Sequence, residues 1–327
     1  MIISERKISK ELAFYRALSF RFCLEEKDAK KLSVLERGYK GERIYDEVFG
    51  EEGHSSVFVF RDIYLRIEDS TAQYDALIVS EAGITVNEIK NYSGFYRVER
   101  GKWYAGNFEV PDDPPAQLKR AMNKLLKLQY IHRLNFDIEG KVVFPHIDFR
   151  LNFDNQDVRE RLVMRSELRD YLKRFSNEYA GRYAERIAEA VSSHIIDNPF
   201  FDKSANFDSV RKGLYCGNCG GFELIDNHFY MRCLDCGSRE KKETHLLRAI
   251  SDFRSLFLDE RMTKKKFLIF INYAVSHRTA QRMLNKYCEC VVNGAHTYYL
   301  FKHESFEEVY AKYKSSYRYK DRKVDIF

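Results

Sequence analysis

Proline is scarce: five residues in a chain of 327. That excludes a proline-rich linker or a long low-complexity tail. Also missing is any apolar run of the length a membrane helix needs, since the longest, such as residues 267–271, break off within a few positions. The opening MIISERKISKELAF is charged and has no secretory h-region. With neither a span nor a leader legible, the expected place is the cytoplasm, with no membrane partner. Seven cysteines in such a setting point to metal binding or free thiols rather than to a disulfide framework.

What is present is the composition of a folded protein: 44% apolar and 32% charged residues over a length that suits two or three domains. The charge of +6 is mildly basic. The excess sits late, with 19 basic against 11 acidic side chains from residue 239 onward. Such an excess fits a nucleic-acid partner, or only a solvated helical face.

Residues 1–36 carry apolar side chains at helical intervals (Leu12, Tyr15, Leu18, Leu32, Leu35) and read as one or two leading helices. From Gly38 a further helix is expected, with Ile44, Tyr45, Val48 and Phe49 on one face and Gly50 as its stop. The period then changes. Three runs rich in β-branched and aromatic residues follow, from Val57, from Gln73 to Ser80, and from Ile84 to Lys90, the last two joined by the turn SEAG. A second hairpin is expected around Arg100 and Gly101. Asp113 and Pro114 then open a helix with Leu118, Met122, Leu125, Leu126 and Gln129 as its core stripe, and a strand over 141–149 closes an α/β unit. Residues 155–195 read as helices and 196–214 as a polar linker.

The chemistry lies in QYDALIVSEAGITVNEIKN. With a two-residue turn at Glu81-Ala82, Ser80 opposes Gly83, and the same register sets Asp75 against Glu88. The period of two puts Lys90 on the face of Glu88. Two carboxylates about 5 Å apart suit one divalent cation such as Mg²⁺ or Mn²⁺, and a lysine beside them suits a phosphate. A surface ladder of opposite charges would look the same.

The order GYKGE, a β run, YDALIV, GITVNEIKN, a hairpin with Trp103, and PPAQLKRAMNKL resembles the nuclease-related domain family (NERD), a branch of the PD-(D/E)XK nuclease superfamily, over about residues 37–150. The resemblance implies a restriction-endonuclease-like α/β (α+β) core, a mixed sheet flanked by helices. It implies that Glu42 is the acidic residue of the first helix, Asp75 the first metal ligand, Glu88 and Lys90 the ExK pair, and Gln117 the glutamine of the later helix. One departure is Asn87, where the family has an apolar residue. Poorer packing of that face is the expected consequence. Glu42 also reads as an ordinary helix-start residue and Gln117 as a solvent-facing one.

Residues 216–237, CGNCGGFELIDNHFYMRCLDCG, hold two Cys-x2-Cys pairs around thirteen residues that alternate like a hairpin. Four thiolates, Cys216, Cys219, Cys233 and Cys236, make the closed shell of a structural Zn²⁺ site. The segment resembles a topoisomerase-associated zinc ribbon. Arg232, Arg239, Lys241 and Lys242 are candidate DNA contacts, while His228 reads as an exposed histidine at the hairpin tip. Cys23, Cys288 and Cys290 read as ordinary thiols.

Behind the ribbon, Ser276 caps a short helix bearing Arg278, Thr279, Gln281, Arg282 and Lys286, and strands 289–292 and 297–301 follow around Asn293-Gly294. Helices before a small hairpin resemble a winged helix-turn-helix, in which Lys264, Lys265 and Lys266 would hold phosphates. A helical cap packed on the ribbon is the other reading. The tail YKSSYRYKDRK would add affinity without sequence information. The expected organisation is a helical extension (1–36), a nuclease-like domain (37–150), a helical extension and linker (151–214), a zinc ribbon (215–238) and a helical, winged-helix-like region (239–327). The expected activity is metal-dependent hydrolysis of phosphodiesters, of DNA first of all. The rival is an inactive DNA-binding or regulatory scaffold.

Overall fold

Alternating apolar residues between positions 57 and 89 build the centre of the molecule, as the computed structural model shows. It describes residues 1–52, 56–111, 113–153, 159–258, 260–294, 297–303 and 305–316. Strand β1 (Ile2–Ser4) and helix α1 (Lys10–Arg21) precede a 26-residue helix, α2 (Glu26–Glu51). Then come β2 (Phe58–Ile67), β3 (Ser70–Ser80) and β4 (Gly83–Ile89) as an antiparallel meander, with Ser80 opposite Gly83 as the turn sequence requires. The hairpin β5 (Gly94–Glu99) and β6 (Lys102–Ala105) turns at Arg100 and Gly101, both at positive φ. After β7 (Phe108–Glu109), helix α3 (Pro114–His132) starts at Asp113, whose side chain accepts the Ala116 amide at 2.6 Å.

The segment expected as one strand over 141–149 is instead two. Strand β8 (Asp137–Phe144) runs parallel to β4, while β9 (Phe149–Phe153) runs parallel to β5 in another sheet. Residues 155–195, expected as helices alone, also contribute strands: β10 (Leu162–Met164) extends the main sheet, then α4 (Leu168–Lys173) and α5 (Arg182–Ser192) lead to β11 (Ile195–Ile196), which pairs with β2. The main sheet is ordered β1-β2-β3-β4-β8-β10 and the small one β7-β6-β5-β9. Burial on both sides explains the near-continuous apolar runs of its central strands. Leu118, Leu125 and Leu128 of α3 pack with Leu77, Val79 and Val86. Tyr45, Val48 and Phe49 of α2 pack with Val59, Ala76 and Ile78. The α3 stripe is therefore Leu118, Ala121, Leu125 and Leu128, and Leu126, expected inside, is 43% exposed.

Helix α2 does not break at Gly38 or stop at Gly50. Gly41 is there for close approach, since a Cβ would lie 2.4 Å from that of Asn91. The chain forms two compact units, residues 1–7 with 34–200, and residues 8–33 with 201–327. The second holds β12 (Leu224–Asn227), β13 (Tyr230–Cys233) and β14 (Arg239–Lys241) as one small sheet. Helices α6 (Lys242–Leu256), α7 (Lys264–Phe270) and α8 (His277–Tyr287) follow, then the hairpin β15 (Cys288–Val291) and β16 (Tyr298–Phe301) and helix α9 (Phe306–Ser316). Its core gathers Phe207, Phe253, Phe257 and Phe270, with ring centroids 4.9 to 6.3 Å apart. Among the described residues no helix is long and apolar enough to cross a membrane.

Candidate active site and metal centre

The β3–β4 ladder runs from Ser80 opposite Gly83 to Ala76 opposite Asn87. One more step would make the expected rung of Asp75 against Glu88, but the pairing ends before it. Asp75 Oδ2 instead accepts the Ile89 amide at 2.7 Å, and the Asp75 carbonyl accepts Arg6 Nη2 at 2.8 Å. A carboxylate thus replaces a backbone acceptor, so the two strands part where the acidic residues stand. Strand β4 remains tied to β8, through Ile89 opposite Val143 and the Lys90 amide to the Val143 carbonyl at 2.8 Å.

Lys90 Nζ lies 2.8 Å from Glu88 Oε1, as a period of two demands. Burial works against the Lys90 charge, but Glu88 and then Asp75 outweigh it and raise its pKa above the ordinary lysine value. The lysine is therefore cationic at neutral pH. Glu42 joins the site from α2. Arg6, its side chain 3% exposed, donates to Glu42 Oε2 at 2.8 Å and to Asp46 Oδ2 at 2.7 Å, and so clamps two carboxylates one helical turn apart together with the Asp75 carbonyl.

Three members of this cluster escaped the sequence reading: Asp46, one turn beyond Glu42 on α2, Arg6 and Asp62. Arg6 sits at the start of a segment whose role was illegible. Asp62 occupies the β2 position between Arg61 opposite Ala76 and Ile63 opposite Tyr74, and so stands beside Asp75, with φ at +49° and Oδ1 accepting from Gln73 at 2.9 Å. The polar pair Arg61-Asp62 inside an apolar strand was the available signal. Burial, and then Asp75 and Asp46, raise the Asp62 pKa against the pull of Gln73 and Arg6. Glu42 is pushed up to about 8, by burial first, with Arg6 opposing and Asp75, Asp62 and Asp46 reinforcing. The five carboxylates Glu42, Asp46, Asp62, Asp75 and Glu88 outnumber the three cations Arg6, Arg61 and Lys90 among them, which is the electrostatic condition for taking up a further cation. Gln117 lies half-buried in the first turn of α3. Asn87 is fully buried, and its Oδ1 accepts the Tyr171 hydroxyl at 2.5 Å, so the packing loss expected there is met by a hydrogen bond from α4.

The four cysteines of the second unit converge. Their sulfur atoms all lie within 4.8 Å of one another, and among the described residues theirs is the one group of three or more His, Cys, Asp or Glu side chains that does so. Glu42, Asp75 and Glu88 are gathered less tightly than that. The Cys216–Cys236 and Cys219–Cys233 sulfurs are 3.7 and 3.5 Å apart, close to the roughly 3.8 Å edge of a tetrahedron with 2.3 Å metal–sulfur bonds and far too long for a disulfide. The two knuckles share one backbone plan. Gly220 and Gly237 donate to the carbonyls of Cys216 and Cys233, at φ +75° and +73°, a conformation that favours glycine. This set can coordinate a metal ion. The Ser238 hydroxyl and amide pull the Cys236 pKa down to about 6, whereas Cys219, against the Gly221 amide, and Cys233 are pushed up by burial and by their thiol neighbours, so without a cation the set favours one thiolate over four.

A third strand, β14, joins the expected ribbon hairpin, and its Glu240 fastens the knuckle to α6. Glu240 Oε2 accepts the Gly217 amide at 2.9 Å and Oε1 accepts Arg248 at 2.7 Å. His228 stands exposed at the hairpin tip. Lys242 is engaged by Asp226 at 2.6 Å, whereas Arg232 and Arg239 are exposed. Ser276 caps α8, accepting the Thr279 amide at 3.2 Å. Gln281 is held by Tyr299 at 2.6 Å and Lys286 by Glu243 at 2.5 Å, while Arg278 and Arg282 are exposed. Lys266 pairs with Glu260. Cys288 is buried, and Cys290 and Cys23 are exposed. Most of the basic tail, residues 317–323, lies outside the described residues.

Comparison with curated proteins and with solved structures finds no match. The comparison that does succeed falls on the unit that holds the parted strands: residues 37–145, the stretch from before Glu42 to the end of β8, match the family model of the nuclease-related domain.

Proposed function

We propose that the first unit is a divalent-metal-dependent phosphodiesterase, DNA being its foremost substrate, on a restriction-endonuclease-like core. The observation that carries this reading is the end of the β3–β4 backbone ladder at Asp75, whose carboxylate takes the Ile89 amide close to the Glu88–Lys90 pair. All the acidic donors are hard oxygens with negative charge in excess, a set that fits Mg²⁺ or Mn²⁺. Asp75 and Glu88 would hold that ion, with Glu42 alongside; when bound it supplies an acidic water and screens charge on the phosphate. Lys90, kept cationic by its carboxylate neighbours, orients the attacking water and balances charge gathering on the phosphate oxygens. Arg6 holds Glu42 and the Asp75 backbone in place. Gln117, on the helix that covers β3, β4 and β8, is assigned to substrate positioning.

The four-cysteine set is proposed to carry one structural Zn²⁺, since four sulfurs leave no open coordination position for catalysis. The ribbon and the C-terminal helices would then bind the nucleic acid. The test is cleavage of a panel of DNA and RNA forms with Mg²⁺ or Mn²⁺. Glu88→Ala and Lys90→Ala should each lower the rate by roughly 10²- to 10³-fold. Cleavage that survives both would remove the mechanism. Binding without cleavage under any metal would establish the scaffold instead.

A further inference from the structure

The ribbon sheet has one face without acid. Cross-strand partners in an antiparallel ladder point the same way. The pairs Ile225–Arg232, Asn227–Tyr230, Tyr230–Lys241 and Arg232–Arg239 therefore share a face, while Met231 and Cys233 turn inward and are buried. Both carboxylates on these strands, Asp226 and Glu240, belong to the opposite set, held by Lys242 and Arg248. Two arginines directly opposite one another disfavour the sheet by mutual repulsion. A ligand carrying closely spaced negative charge would turn that repulsion into attraction.

This face runs into a cleft of about 360 Å³, lined by Phe229 and Tyr230 at the hairpin tip, Lys241, Lys242, and Arg282 of α8, with one carboxylate, Glu243, which Lys286 and the Tyr287 hydroxyl engage. Phe229 is 71% exposed and Tyr230 42%. Aromatic rings left open beside arginine and lysine form a stacking platform next to a phosphate track. The cleft also joins two features that are separate in the sequence, the ribbon tip and the basic helix.

We propose that this face and cleft bind single-stranded nucleic acid, with an unpaired base stacked on Phe229 and Tyr230 and its backbone phosphates on Arg282, Lys241, Arg232 and Arg239. The strand form follows from the rings. A ring face stacks only on a base freed from its pair, and a duplex presents base edges and grooves to the protein instead. Same-face residues along a strand are spaced about 6.8 Å apart, so successive side chains reach successive charges of an extended chain. The inference deepens the nuclease reading by naming the form of nucleic acid held, but binding is read without cleavage.

The experiment measures fluorescence anisotropy of the full chain with labelled oligothymidylate and with a duplex of equal length, no divalent ion being added. Single strands should bind at least tenfold tighter than the duplex. Phe229→Ala should weaken single-strand binding roughly tenfold and leave duplex binding nearly unchanged. Arg282→Ala should reduce the salt slope by about one. Retained zinc content and an unchanged melting temperature certify that the variants are folded. Because no divalent ion is present, binding is read apart from cleavage: an unaltered chain that binds single strands yet cleaves nothing under any metal would sink the nuclease reading and leave this one standing. Equal affinity for duplex, an unaltered Phe229→Ala, or equal competition by polyglutamate would overturn it.

Discussion

Arg6 makes three contacts at once, to Glu42, Asp46 and the Asp75 carbonyl, from a side chain almost wholly withdrawn from water. Removing one member of a buried pair leaves the other charge unbalanced, at a cost of about 3–5 kcal/mol. Arg6→Ala should fall near the lower end, roughly 3 kcal/mol in urea unfolding at pH 8, because Glu42 can take up a proton and Arg61 still faces Asp46 at 3.1 Å. A loss below about 1 kcal/mol would show that the clamp is ornamental. His245 gives a pH signature. It is 2% exposed, its Nδ1 bonds the Tyr215 carbonyl at 2.8 Å, and burial, aided by Arg248 and opposed by Glu240, lowers its pKa. Below the ordinary histidine value near 6.5 the unfolded chain then binds a proton that the folded chain refuses. Stability should be retained above that pH and be lost as pH falls toward the lowered folded value. His245→Gln should flatten the slope between pH 6.5 and 5.5 in thermal melts; an identical slope would rule out His245 as its source. At this scale the Glu88–Lys90 neighbourhood was legible because a period of two dictates it, whereas the expected rung of Asp75 against Glu88 does not form, since the Asp75 carboxylate takes the Ile89 amide. Arg6 was not legible, for it follows β1, which reaches the site by pairing with β2 far along the chain; Asp62 was not, because the turn between β2 and β3 that sets it beside Asp75 was not read.

Helix α2 contains three glycines, and only one is held by its surroundings. A Cβ on Gly38 would meet nothing within 4 Å, whereas one on Gly41 would collide with Asn91, whose Nδ2 bonds the Arg37 carbonyl at 2.8 Å. Gly38→Ala should therefore stabilise by up to about 1 kcal/mol through helix propensity. Gly41→Ala should destabilise despite the same propensity gain, since Asn91 must move. The comparison of the two midpoints checks it, and a stabilised Gly41→Ala would contradict the close packing described. The same glycines misled the sequence reading, which placed a break at Gly38 and a stop at Gly50. Tertiary packing overrides a propensity penalty of this size. The hairpin at Arg100-Gly101 and the Asp113 cap were legible because their signals are local and stereochemical. The division of 137–153 into strands of two sheets was not, since nothing in the segment itself says which neighbour each half will meet.

Each of the two compact units has its own apolar core, and only the second contains the four cysteines. Loss of a structural metal removes folding energy from the module that it closes. Cys233→Ser, or a strong chelator, should therefore release one equivalent of zinc. It should lower one calorimetric transition and make residues 201–316 protease-sensitive, while the nuclease-like unit melts as before. A single transition that shifts as a whole would refute independent units, and a stable variant without metal would refute the zinc assignment. In the sequence itself, local stereochemistry encodes what lies within one turn or one period: the β3–β4 register from Ser80 to Ala76, the two cysteine knuckles, the caps, and the order of motifs over about residues 37–150 that carries the family resemblance. Only the tertiary structure decided that residues 1–7 join the nuclease-like unit, that β3 parts from β4 where Asp75 captures a backbone amide, and that the ribbon tip and α8 line one cleft. Those arrangements depend on contacts between segments far apart in the chain, and their energy comes from burial and charge balance that no local pattern of residues records.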